Sequence, residues 1–384
     1  MIAPTPFFSH RGCSVRVYEE TRALEKLGNE VVICTYHIGD DVPGLAVHRI
    51  INVPWYKRLR AGPSYHKVYL DALLWFKSLR VARQIKPDVI HGHLHEGTLL
   101  GYVVGRILSL PLLSDLQGSF TGELKSHGFV KGDGVYFALL SRLERVIDAL
   151  PYVTVASSSA VVDELRSEFG ARRVFRALDG VDSDVFHPSV RKASRPQSIP
   201  PDAKVVVYLG LLSDYQGIDC LLEAIPEVLR GHEKVHFLIM GYPDVELYQE
   251  KARRLSVHER VTFTGRIPYG EAPSYLALGD LAVSPKIAET ESNGKLFNYM
   301  ACGLPTVAFD TPVNREILGD LGLYARLGDA SSLASALLGA LGDETLMADL
   351  GKGLRQRAVR LFSWENTARQ LMDCYALALG QRGH

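Results

Sequence analysis

Short apolar runs alternate with amphipathic stretches along the chain, and this alternation limits the fold more than any other feature. Runs such as "EVVICTY", "YVTVASS", "VVVYLGLL" and "VHFLIMG" have the length of buried strands, while "SVRVYEETRALEKLG" and "IDCLLEAIPEVLRG" have helical periodicity and end at glycine. Strands that alternate with helices form parallel sheets covered on both faces. The series occurs on both sides of a Pro/Ser-rich stretch, "HPSVRKASRPQSIPPDA". The pattern therefore predicts an α/β protein of two doubly wound, Rossmann-like domains.

The predicted domain limits follow from these two series. We expect an N-terminal domain over residues 1–186, a linker over 187–203, a second domain over 204–361, and a C-terminal helix within 362–384 that packs back on the first domain. At 384 residues, of which 47% are hydrophobic, the chain is long enough to bury two cores. The opening "MIAPTPFF" resembles the end of a first strand, so we expect either a short strand or natural residues before it.

Charge and cysteine content exclude several classes of protein. Lys+Arg and Asp+Glu both total 43, a balance that argues against a general nucleic-acid binder. The five cysteines are scattered without a C-x-x-C pair, which indicates reduced thiols and neither a disulfide nor a zinc framework. No apolar run approaches the ~20 residues of a membrane helix, and no signal peptide is visible. We expect a cytoplasmic protein without a cofactor or nucleic-acid partner, and the oligomeric state stays open.

The stretch "DVIHGHLHEG", residues 88–97, contains three alternating histidines. On a persistent strand they would share one face, and imidazole is the commonest metal ligand. A closed zinc site, however, needs ligands that converge, usually from separate elements. Two glycines bracket the run, so we expect the strand to end near His91 and the alternation to break before His95. We predict no metal site and assign His91, His93, His95 and Glu96 to an acceptor or cleft surface. The alternative is strand-end histidines satisfied by nearby backbone.

Residues 52–86 form a basic and aromatic segment in an otherwise neutral chain. Eight Lys or Arg residues stand against one acid, Asp71, and six aromatic residues are interleaved with them. Such a composition suits an anionic membrane surface. It also suits an anionic polysaccharide acceptor, or a solvated helix face whose aromatic residues belong to the core. Peripheral attachment to the inner face of the membrane through this segment is therefore one of three hypotheses.

Several motifs in order resemble those of the nucleotide-sugar glycosyltransferases of GT-B fold, in the large retaining family four. They are "RGCSVRVYEETRALEKLGNEVVICT", "LDGVDSDVFHP", "VVYLGLLSDYQGIDCLLEAI" and "SPKIAETESNGKLFNYMACGLPTVAFDTPVNREILGD". The likeness covers nearly the whole chain. It implies transfer of a hexosyl group, with retention of anomeric configuration and without a metal, from a nucleotide diphosphate sugar to a lipid-linked or polysaccharide acceptor. The D-x-D triplet at 182–184 lies between the domains, so we assign it a structural role.

The last of these strings predicts a site for the donor diphosphate. A strand ends at "VSP", a polar loop follows, and a helix begins at Lys295, whose charge and free backbone N–H groups would attract phosphate. The alternative is a solvated surface lysine. The resemblance implies catalytic roles for Glu289, Glu291, Lys295 and Gln117. It implies donor binding by Arg11, Gly12, Gly210, Gln216, Gly217, Arg266, Lys286, Asn293, Gly294 and Asn298.

The chain departs from the family pattern at the diphosphate. Family members usually have an arginine and a lysine where this sequence has Leu211 and Gln216. Charge-assisted contacts are worth roughly 1.5–3 kcal/mol each, so this loss either abolishes activity or is offset by other cations. The candidates for that compensation are Lys295, Lys286 and Arg11.

Two more departures concern the sugar. Asn298 replaces the second glutamate of the family pair, and Glu289 or Glu291 could serve the first position after a shift of one residue. Gln117 stands where the family commonly has a histidine, and an amide cannot titrate. If a titratable group is needed, we expect it from His93, His95 or His127.

Three rival functions have different sequence requirements. A non-catalytic GT-B scaffold that binds a sugar or a partner would tolerate the lost cations. A sugar-nucleotide epimerase of the same fold would share the donor site. A dinucleotide dehydrogenase is disfavoured, because no G-x-G-x-x-G follows a first strand.

Overall fold

The computed structural model describes residues 1–9, 12–57, 64–121, 134–167, 173–288 and 292–380. The chain divides into two compact units. Unit 1 comprises Met1–Asp179, Thr290–Ser292 and Trp364–His384, and unit 2 comprises Gly180–Glu289 and Asn293–Ser363. Each unit contains its own parallel sheet with helices packed against it, so the two Rossmann-like domains predicted from the alternating pattern are confirmed.

Unit 1 is built on a sheet of seven parallel strands in the order β3-β2-β1-β4-β5-β6-β7. The strands are β1 (Ile2–Ala3), β2 (Val32–Thr35), β3 (Ala46–Arg49), β4 (Ile90–His93), β5 (Leu112–Leu116), β6 (Val153–Ala156) and β7 (Val174–Arg176). The helices are α1 (Gly12–Lys26), α2 (Lys67–Ile85), α3 (Leu94–Leu108), α4 (Val135–Asp148), α5 (Ser159–Ser167) and, at the C-terminal end, a helix over Trp364–Gly380.

Both faces of this sheet are buried. Leu112 packs in a cluster with Leu74 of α2 and Val104 of α3. The next residue, Leu113, points to the opposite face and packs in a second cluster with Leu24 of α1 and with the C-terminal helix. Successive side chains of a strand alternate between faces, so two covered faces require the continuous apolar runs seen in the sequence.

Unit 2 contains a sheet of six parallel strands in the order β10-β9-β8-β11-β12-β13. The strands are β8 (Lys204–Leu209), β9 (Val235–Met240), β10 (Val261–Phe263), β11 (Leu281–Ser284), β12 (Thr306–Phe309) and β13 (Leu323–Ala325). The helices are α6 (Ile218–Gly231), α7 (Val245–Arg254), α8 (Ala272–Leu276), α9 (Lys295–Ala301), α10 (Pro312–Leu318), α11 (Ala330–Leu341) and α12 (Glu344–Leu361), which makes the helix over Trp364–Gly380 α13. Short 3-10 turns cover Asp214–Gln216, His258–Arg260, Tyr269–Glu271 and Gly319–Leu321.

The division between the units differs from the predicted limits. The first segment of unit 1 ends at Asp179, whereas the predicted N-terminal domain extends to residue 186. The Arg355 guanidinium donates at 2.7 Å to the carbonyl of Phe186, which ties the intervening segment to unit 2. The stretch 187–203, predicted as a linker, also belongs to unit 2, where Ile199 is buried. Its polar, proline-rich composition does not reveal these contacts. Across the described ranges, no helix combines the length and apolarity needed to cross a bilayer.

Candidate active site

In unit 2, residues far apart in the sequence meet beyond the carboxyl ends of β8 and β11. Gly210 directly follows β8, Lys286 lies two residues after β11, and Lys295 is the first residue of α9. The Lys295 ammonium donates to the Gln216 side-chain oxygen and lies 4.7 Å from the centroid of the Tyr208 ring. Ligands of doubly wound sheets bind at this edge. The structure therefore brings four of the predicted donor-site residues into one place.

Two glycines allow this close packing. A Cβ atom on Gly210 would lie 2.9 Å from the Cε atom of Lys295. Gly217 has a left-handed φ of +72°, and a Cβ atom there would lie 1.8 Å from the carbonyl oxygen of Pro285. A residue with a side chain is excluded by both the conformation and the contact. Gly217 thus ends the turn that presents Gln216 to Lys295.

The Lys295 ammonium lacks a described anionic partner. The side chain is half-buried, and its hydrogen-bond acceptor, Gln216, is a neutral amide. Burial lowers the pKa of Lys295 well below its ordinary value, and the charge of Lys286 lowers it further. A bound anion would supply the missing countercharge and raise this pKa. Because α9 has only seven residues, the lysine charge and not the helix end is the main attraction for an anion.

Asn293 holds the loop before α9. Its buried amide donates at 2.8 Å to Asn314 of α10 and at 3.0 Å to the Ser284 hydroxyl at the end of β11. These bonds use the side-chain amide nitrogen of Asn293 to position the chain before α9, and its predicted part in donor binding stays a prediction. Gly294 forms the N-terminal boundary of α9, and Asn298 is half-buried one turn after Lys295.

The remaining donor-side predictions have different outcomes. Arg266 is exposed, and its guanidinium lies 5.8 Å from the ring centroid of Tyr242, which follows β9. Arg11, Glu289 and Glu291 lie outside the described residues, as does His127. Their roles stay predictions from the resemblance.

In unit 1, a buried arginine that the sequence analysis missed ties three elements together. Helix α1 begins at Gly12, where an added Cβ would meet nothing within 4 Å, and Arg16 follows one turn later. Arg16 donates at 2.7 Å to Asp115 of β5, at 2.7 Å to Asp179 and at 2.9 Å to the carbonyl of Ala177. An arginine two per cent exposed is rarely left unpaired, and here three acceptors satisfy its donors.

Gln117 follows β5, two residues after Asp115. It is half-buried, and its side-chain nitrogen is shielded from solvent without a hydrogen-bond partner among the described residues. An unsatisfied amide donor of this kind is costly unless a ligand or water accepts its hydrogen bond. Gln117 therefore fits the predicted role of a sugar contact.

The histidine run contradicts part of the sequence prediction. Strand β4 extends through His93, two residues beyond its predicted end, and α3 begins at once. His91, His93 and His95 are all buried. The cause lies at the two flanking glycines: a Cβ on Gly92 would lie 2.5 Å from the carbonyl oxygen of Gly97, so α3 packs directly on the strand. His91, His93 and His95 are therefore buried within unit 1, and their assignment to an acceptor or cleft surface stays a prediction.

Each of the first two histidines has a partner within unit 1. Their rings stack with centroids 4.3 Å apart. The Nδ1 atom of His91 lies 2.7 Å from the hydroxyl of Tyr375 in α13, and Nδ1 of His93 lies 3.1 Å from the carboxylate of Asp115. Burial lowers the pKa of both imidazoles, so they are neutral near pH 7.

Two carboxyl groups lie beside the Arg16 guanidinium, and their pKa values shift in opposite directions. Burial raises the pKa of Glu20 well above its ordinary value, although Arg16 lies 3.0 Å away. Burial acts on Asp115 in the same direction, but the charge of Arg16 and the hydrogen bond from His93 hold its pKa well below the usual range. Burial thus favours the neutral form of Glu20, whereas Arg16 favours the anionic form of Asp115.

Side-chain atoms of Glu20, His91, His93 and Asp115 lie within 4.8 Å of one another, close enough to hold a metal ion. The Arg16 guanidinium, however, already contacts both carboxyl groups, at 2.7 Å and 3.0 Å. A second cation there would lie beside a fixed positive charge. The arrangement fits a buried ion-pair network better than a metal centre, and the absence of a metal stays a prediction.

The next two predicted residues also have partners within unit 1. His95 Nε2 lies 3.4 Å from Asp148 and 3.5 Å from Glu144. Burial would lower the pKa of His95, but Asp148 and Glu144 raise it above the ordinary value. Glu96 pairs with Lys67 of α2 at 2.5 Å, and that charge lowers the pKa of Glu96 in spite of its burial.

Comparison with known proteins identifies the family. The family model described as "Glycosyltransferase Family 4" matches residues 10–185, and the one described as "Glycosyl transferases group 1" matches residues 203–343. A phosphatidyl-myo-inositol mannosyltransferase of Mycobacterium leprae is 30% identical over 98% of this chain and 95% of its own. The chain belongs to glycosyltransferase family 4.

Other known proteins match the chain over a similar extent. A D-inositol 3-phosphate glycosyltransferase of Catenulispora acidiphila is 27% identical over 96% of this chain and 90% of its own. A sucrose-phosphate synthase of Thermosynechococcus elongatus has the same fold, with a TM-score of 0.81 at 19% identity over 99% of this chain and 96% of its own. The predicted GT-B fold and the predicted hexosyltransferase are confirmed, and the epimerase alternative loses its support.

The unusual residues of this family 4 member have visible consequences. The carbonyl of Leu211 accepts a hydrogen bond from the Tyr208 hydroxyl at 2.8 Å. Gln216 offers Lys295 an acceptor where the family pattern has a second cation. The positive charge near this site comes from Lys295 and Lys286 among the described residues, so Lys295 carries more of the anion attraction than it would beside the usual cations.

We predict that Arg16→Met destabilises unit 1 by about 3–5 kcal/mol, because Asp115 stays buried without its cation. Thermal and urea unfolding followed by circular dichroism would measure this as an earlier first transition, since two units need not unfold together. The matched control is Arg22→Met on the same helix, where the side chain is 47% exposed. The control should change stability by no more than about 0.5 kcal/mol. Equal shifts for both variants would show that the network has no special stabilising role.

Proposed function

We propose that this family 4 enzyme transfers a hexosyl group from a nucleoside diphosphate sugar to a lipid-linked acceptor, with retention of anomeric configuration and without a metal. An anionic polysaccharide is the alternative acceptor. The observation that carries the donor part is the desolvated Lys295 ammonium, which has a neutral hydrogen-bond partner beside the bare backbone of Gly210.

A diphosphate would supply the anionic partner that Lys295 lacks among the described residues. Its oxygens are anionic acceptors, and a charge-assisted hydrogen bond from Lys295 is stronger than the present bond to the Gln216 amide. Lys286 is buried at 4% exposure, and its charge adds to the positive potential that acts on Lys295. These groups are fixed in place before the ligand arrives, which is the arrangement that stabilises charge developing on a leaving phosphate.

The proposed reaction needs no protein base. The bond between the anomeric carbon and the phosphate oxygen breaks while the acceptor hydroxyl oxygen bonds to the same face of that carbon. The hydroxyl proton passes to the departing phosphate oxygen, so the configuration is retained and charge is balanced. Lys295 stabilises the leaving diphosphate. Gln117 would hydrogen-bond a sugar hydroxyl through the amide nitrogen that lacks a described partner, a positioning role that does not require titration.

The names of two relatives favour a phosphoinositol-type or lipid-linked acceptor. One acts on phosphatidyl-myo-inositol, and the other on D-inositol 3-phosphate. In this chain, a lipid-linked acceptor is supported by the exposed side chains within residues 52–86. Trp55, Tyr65 and Phe76 are 74%, 94% and 62% exposed, so these aromatic residues are not core.

Other residues of this segment belong to the core of unit 1. Tyr56, Leu70 and Leu74 are buried, and they anchor the segment to the sheet. Asp71, the one acid, accepts a hydrogen bond from Tyr36 at 2.5 Å, and burial raises its pKa to about 7. With its acid partly protonated and turned inward, the outer surface of the segment is strongly basic. This is the composition expected of a surface that binds anionic lipid.

Exposed apolar side chains continue beyond α2. Helix α2 packs against α3, and α3 packs against α4. On α4, Leu139, Leu143 and Val146 are 64%, 48% and 55% exposed, at the spacing of one helical stripe. An exposed apolar stripe of this kind adds to the membrane interpretation. We propose a cytoplasmic enzyme that docks peripherally at the inner face of the membrane.

The donor proposal predicts that Lys295→Met weakens nucleotide binding. The loss of a charged hydrogen bond is worth roughly 1.5–3 kcal/mol, or about 10- to 150-fold in Kd. Isothermal titration calorimetry with UDP, GDP and ADP in turn would measure it. Binding should also take up a proton, since the anion raises the lowered pKa of Lys295, and the affinity should therefore fall as the pH rises.

The matched control for this measurement is Lys352→Met, an exposed lysine on α12 of the same unit. Its affinity and its proton uptake should equal those of the unchanged protein. Equal affinities for both variants would show that the charge of Lys295 does not face the diphosphate.

The membrane proposal predicts that replacement of Lys57, Arg80 and Arg83 by serine releases the protein from acidic vesicles. Each basic residue near an anionic surface contributes about 1 kcal/mol, screened over a Debye length of ~10 Å at 0.1 M salt. Co-sedimentation with phosphatidylserine vesicles over a salt series would measure the loss. The double variant of Arg230 and Arg360, exposed residues of unit 2, should bind as the unchanged protein does.

Two results would contradict the membrane proposal. The unchanged protein could fail to sediment with acidic vesicles at low salt. Alternatively, the triple variant could still sediment while it loses transfer to an anionic polysaccharide, and the segment would then be an acceptor surface.

A further inference from the structure

The sugar contact proposed for Gln117 belongs to a short segment, residues 117–121, that leaves the sheet of unit 1. The last residue of β5, Leu116, pairs with Ala156 of β6, and Gln117 is the first residue beyond it. Backbone that leaves a sheet loses the ladder bonds that fixed it, so other groups must satisfy its N–H and C=O groups. The position of the Gln117 side chain therefore depends on what binds the segment.

The Glu144 carboxylate on α4 binds this segment by four hydrogen bonds. One oxygen accepts from the Ser119 hydroxyl at 2.8 Å and from the backbone nitrogen of Phe120 at 2.6 Å. The other oxygen accepts from the backbone nitrogen of Thr121 at 3.0 Å and from the Thr121 hydroxyl at 2.5 Å. An ionised carboxylate has about four acceptor sites, so these donors fill it. Hydrogen bonds of this kind are the strong, charge-assisted ones.

The buried charge of Glu144 has a partner on a second helix. His95 of α3 has its Nε2 atom 3.5 Å from Glu144 and 3.4 Å from Asp148, the last residue of α4. Burial acts against the charged form of His95, but Asp148 and Glu144 raise its pKa above the ordinary value. An imidazolium at this place offsets the cost of burying two carboxylates. The His95 ring also lies beside the Phe120 ring, with centroids 5.7 Å apart.

A metal ion would be another way to neutralise these carboxylates, because His95, Glu144 and Asp148 have ligand atoms within 4.8 Å of one another. Glu144, however, already uses its acceptor sites for the segment after β5. Two of its donors are backbone N–H groups, of Phe120 and Thr121, which a metal would leave without an acceptor. The geometry fits an imidazolium between two carboxylates better than a metal centre.

Gln117 is thus held from both sides along the chain. Two residues before it, Asp115 accepts from Arg16 at 2.7 Å, and two residues after it, Ser119 donates to Glu144 at 2.8 Å. The side-chain nitrogen of Gln117 between them is shielded from solvent and has no hydrogen-bond partner among the described residues. Fixed backbone on both sides limits where this donor can point. A misplacement of about 1 Å can cost on the order of 100-fold in rate.

We propose that Glu144 is a positioning residue for hexosyl transfer: it fixes the segment after β5 so that the Gln117 amide meets the donor sugar, and His95 stabilises its charge. The inference rests on the proposed sugar contact of Gln117. Glu144 acts through Gln117 and contacts no reacting atom.

The test is a double-mutant cycle of Glu144→Gln and Gln117→Ala, measured by nucleotide release from UDP-glucose, GDP-mannose and ADP-glucose. Glutamine keeps the size of the side chain but turns one of its two acceptor atoms into a donor, so the segment shifts. Glu144→Gln should lower kcat about tenfold and leave KM within about twofold, since Lys295 is unchanged. In the Gln117→Ala background the same substitution should change kcat by less than about twofold.

The matched control is Asp148→Asn. It removes a buried charge from the same helix and beside the same histidine, but Asp148 has no hydrogen bond to the segment among the described residues. Its kcat should stay within about twofold of the unchanged protein. If Glu144→Gln does not fold, Thr121→Val takes its place in the cycle, because it removes a bond to Glu144 from the other side at nearly constant shape.

A second measurement does not need catalysis. In protein labelled with nitrogen-15 at glutamine side chains, the Gln117 amide resonance is the one that disappears in Gln117→Ala. It should shift or broaden in Glu144→Gln and stay in place in Asp148→Asn. If the unchanged protein hydrolyses none of the three nucleotide sugars, the proposed function fails, and this resonance still decides whether Glu144 positions Gln117.

Two results would overturn the proposal. Glu144→Gln, or Thr121→Val in its place, could change kcat by the same factor with and without Gln117, which would mean that Glu144 does not act through this side chain. Alternatively, the Gln117 resonance could stay in place in Glu144→Gln, or move as far in Asp148→Asn. The charge of α4, and not the bonds to the segment, would then be what matters.

Discussion

A cation removed from water must find compensating groups, and two cations, the buried Arg16 and the half-buried Lys295, have compensating groups of different kinds. Arg16 donates to three acceptors, Asp115, Asp179 and the carbonyl of Ala177, so it joins α1 to β5 and to the segment that follows β7. Lys295 has only a neutral amide among the described residues, so it keeps the capacity to attract an anion. At Arg16 the cost of desolvation is offset by acceptors within unit 1. At Lys295 a bound anion would offset it.

The fold was predictable because it follows from patterns of apolar and polar residues within short stretches of the sequence. Apolar runs of strand length that alternate with amphipathic helices can bury both faces of a sheet only in a parallel arrangement. The contacts that decide the interior are not local. Arg16 meets a carboxylate 99 positions later, and no periodicity marks that pair. The burial of the three histidines was not predictable, because the close approach of Gly92 to Gly97, which packs α3 on the strand, cannot be read from composition.

The donor site was partly predictable for a different reason. Gly210, Gln216 and Lys295 lie in motifs whose order the family resemblance supplies, and the structure brings them together. The side-chain amide of Asn293, a predicted ligand contact, donates to Asn314, 21 positions later, and to Ser284, and its role toward a ligand stays a prediction. A hydrogen-bonding side chain can serve a ligand or its own fold, and only the distance to its partners distinguishes the two.

The central claim is that donor chemistry persists although leucine and glutamine replace two usual cations. The most direct measurement incubates the protein with UDP-, GDP- and ADP-hexoses in the presence of EDTA and follows thermal stability and nucleotide release. One of these nucleotide sugars should raise Tm through binding to the folded state and should be slowly hydrolysed, at the same rate without EDTA. If none of them shifts Tm, the protein is a non-catalytic scaffold. If EDTA abolishes hydrolysis, a metal is required, and the role given to Lys295 is wrong.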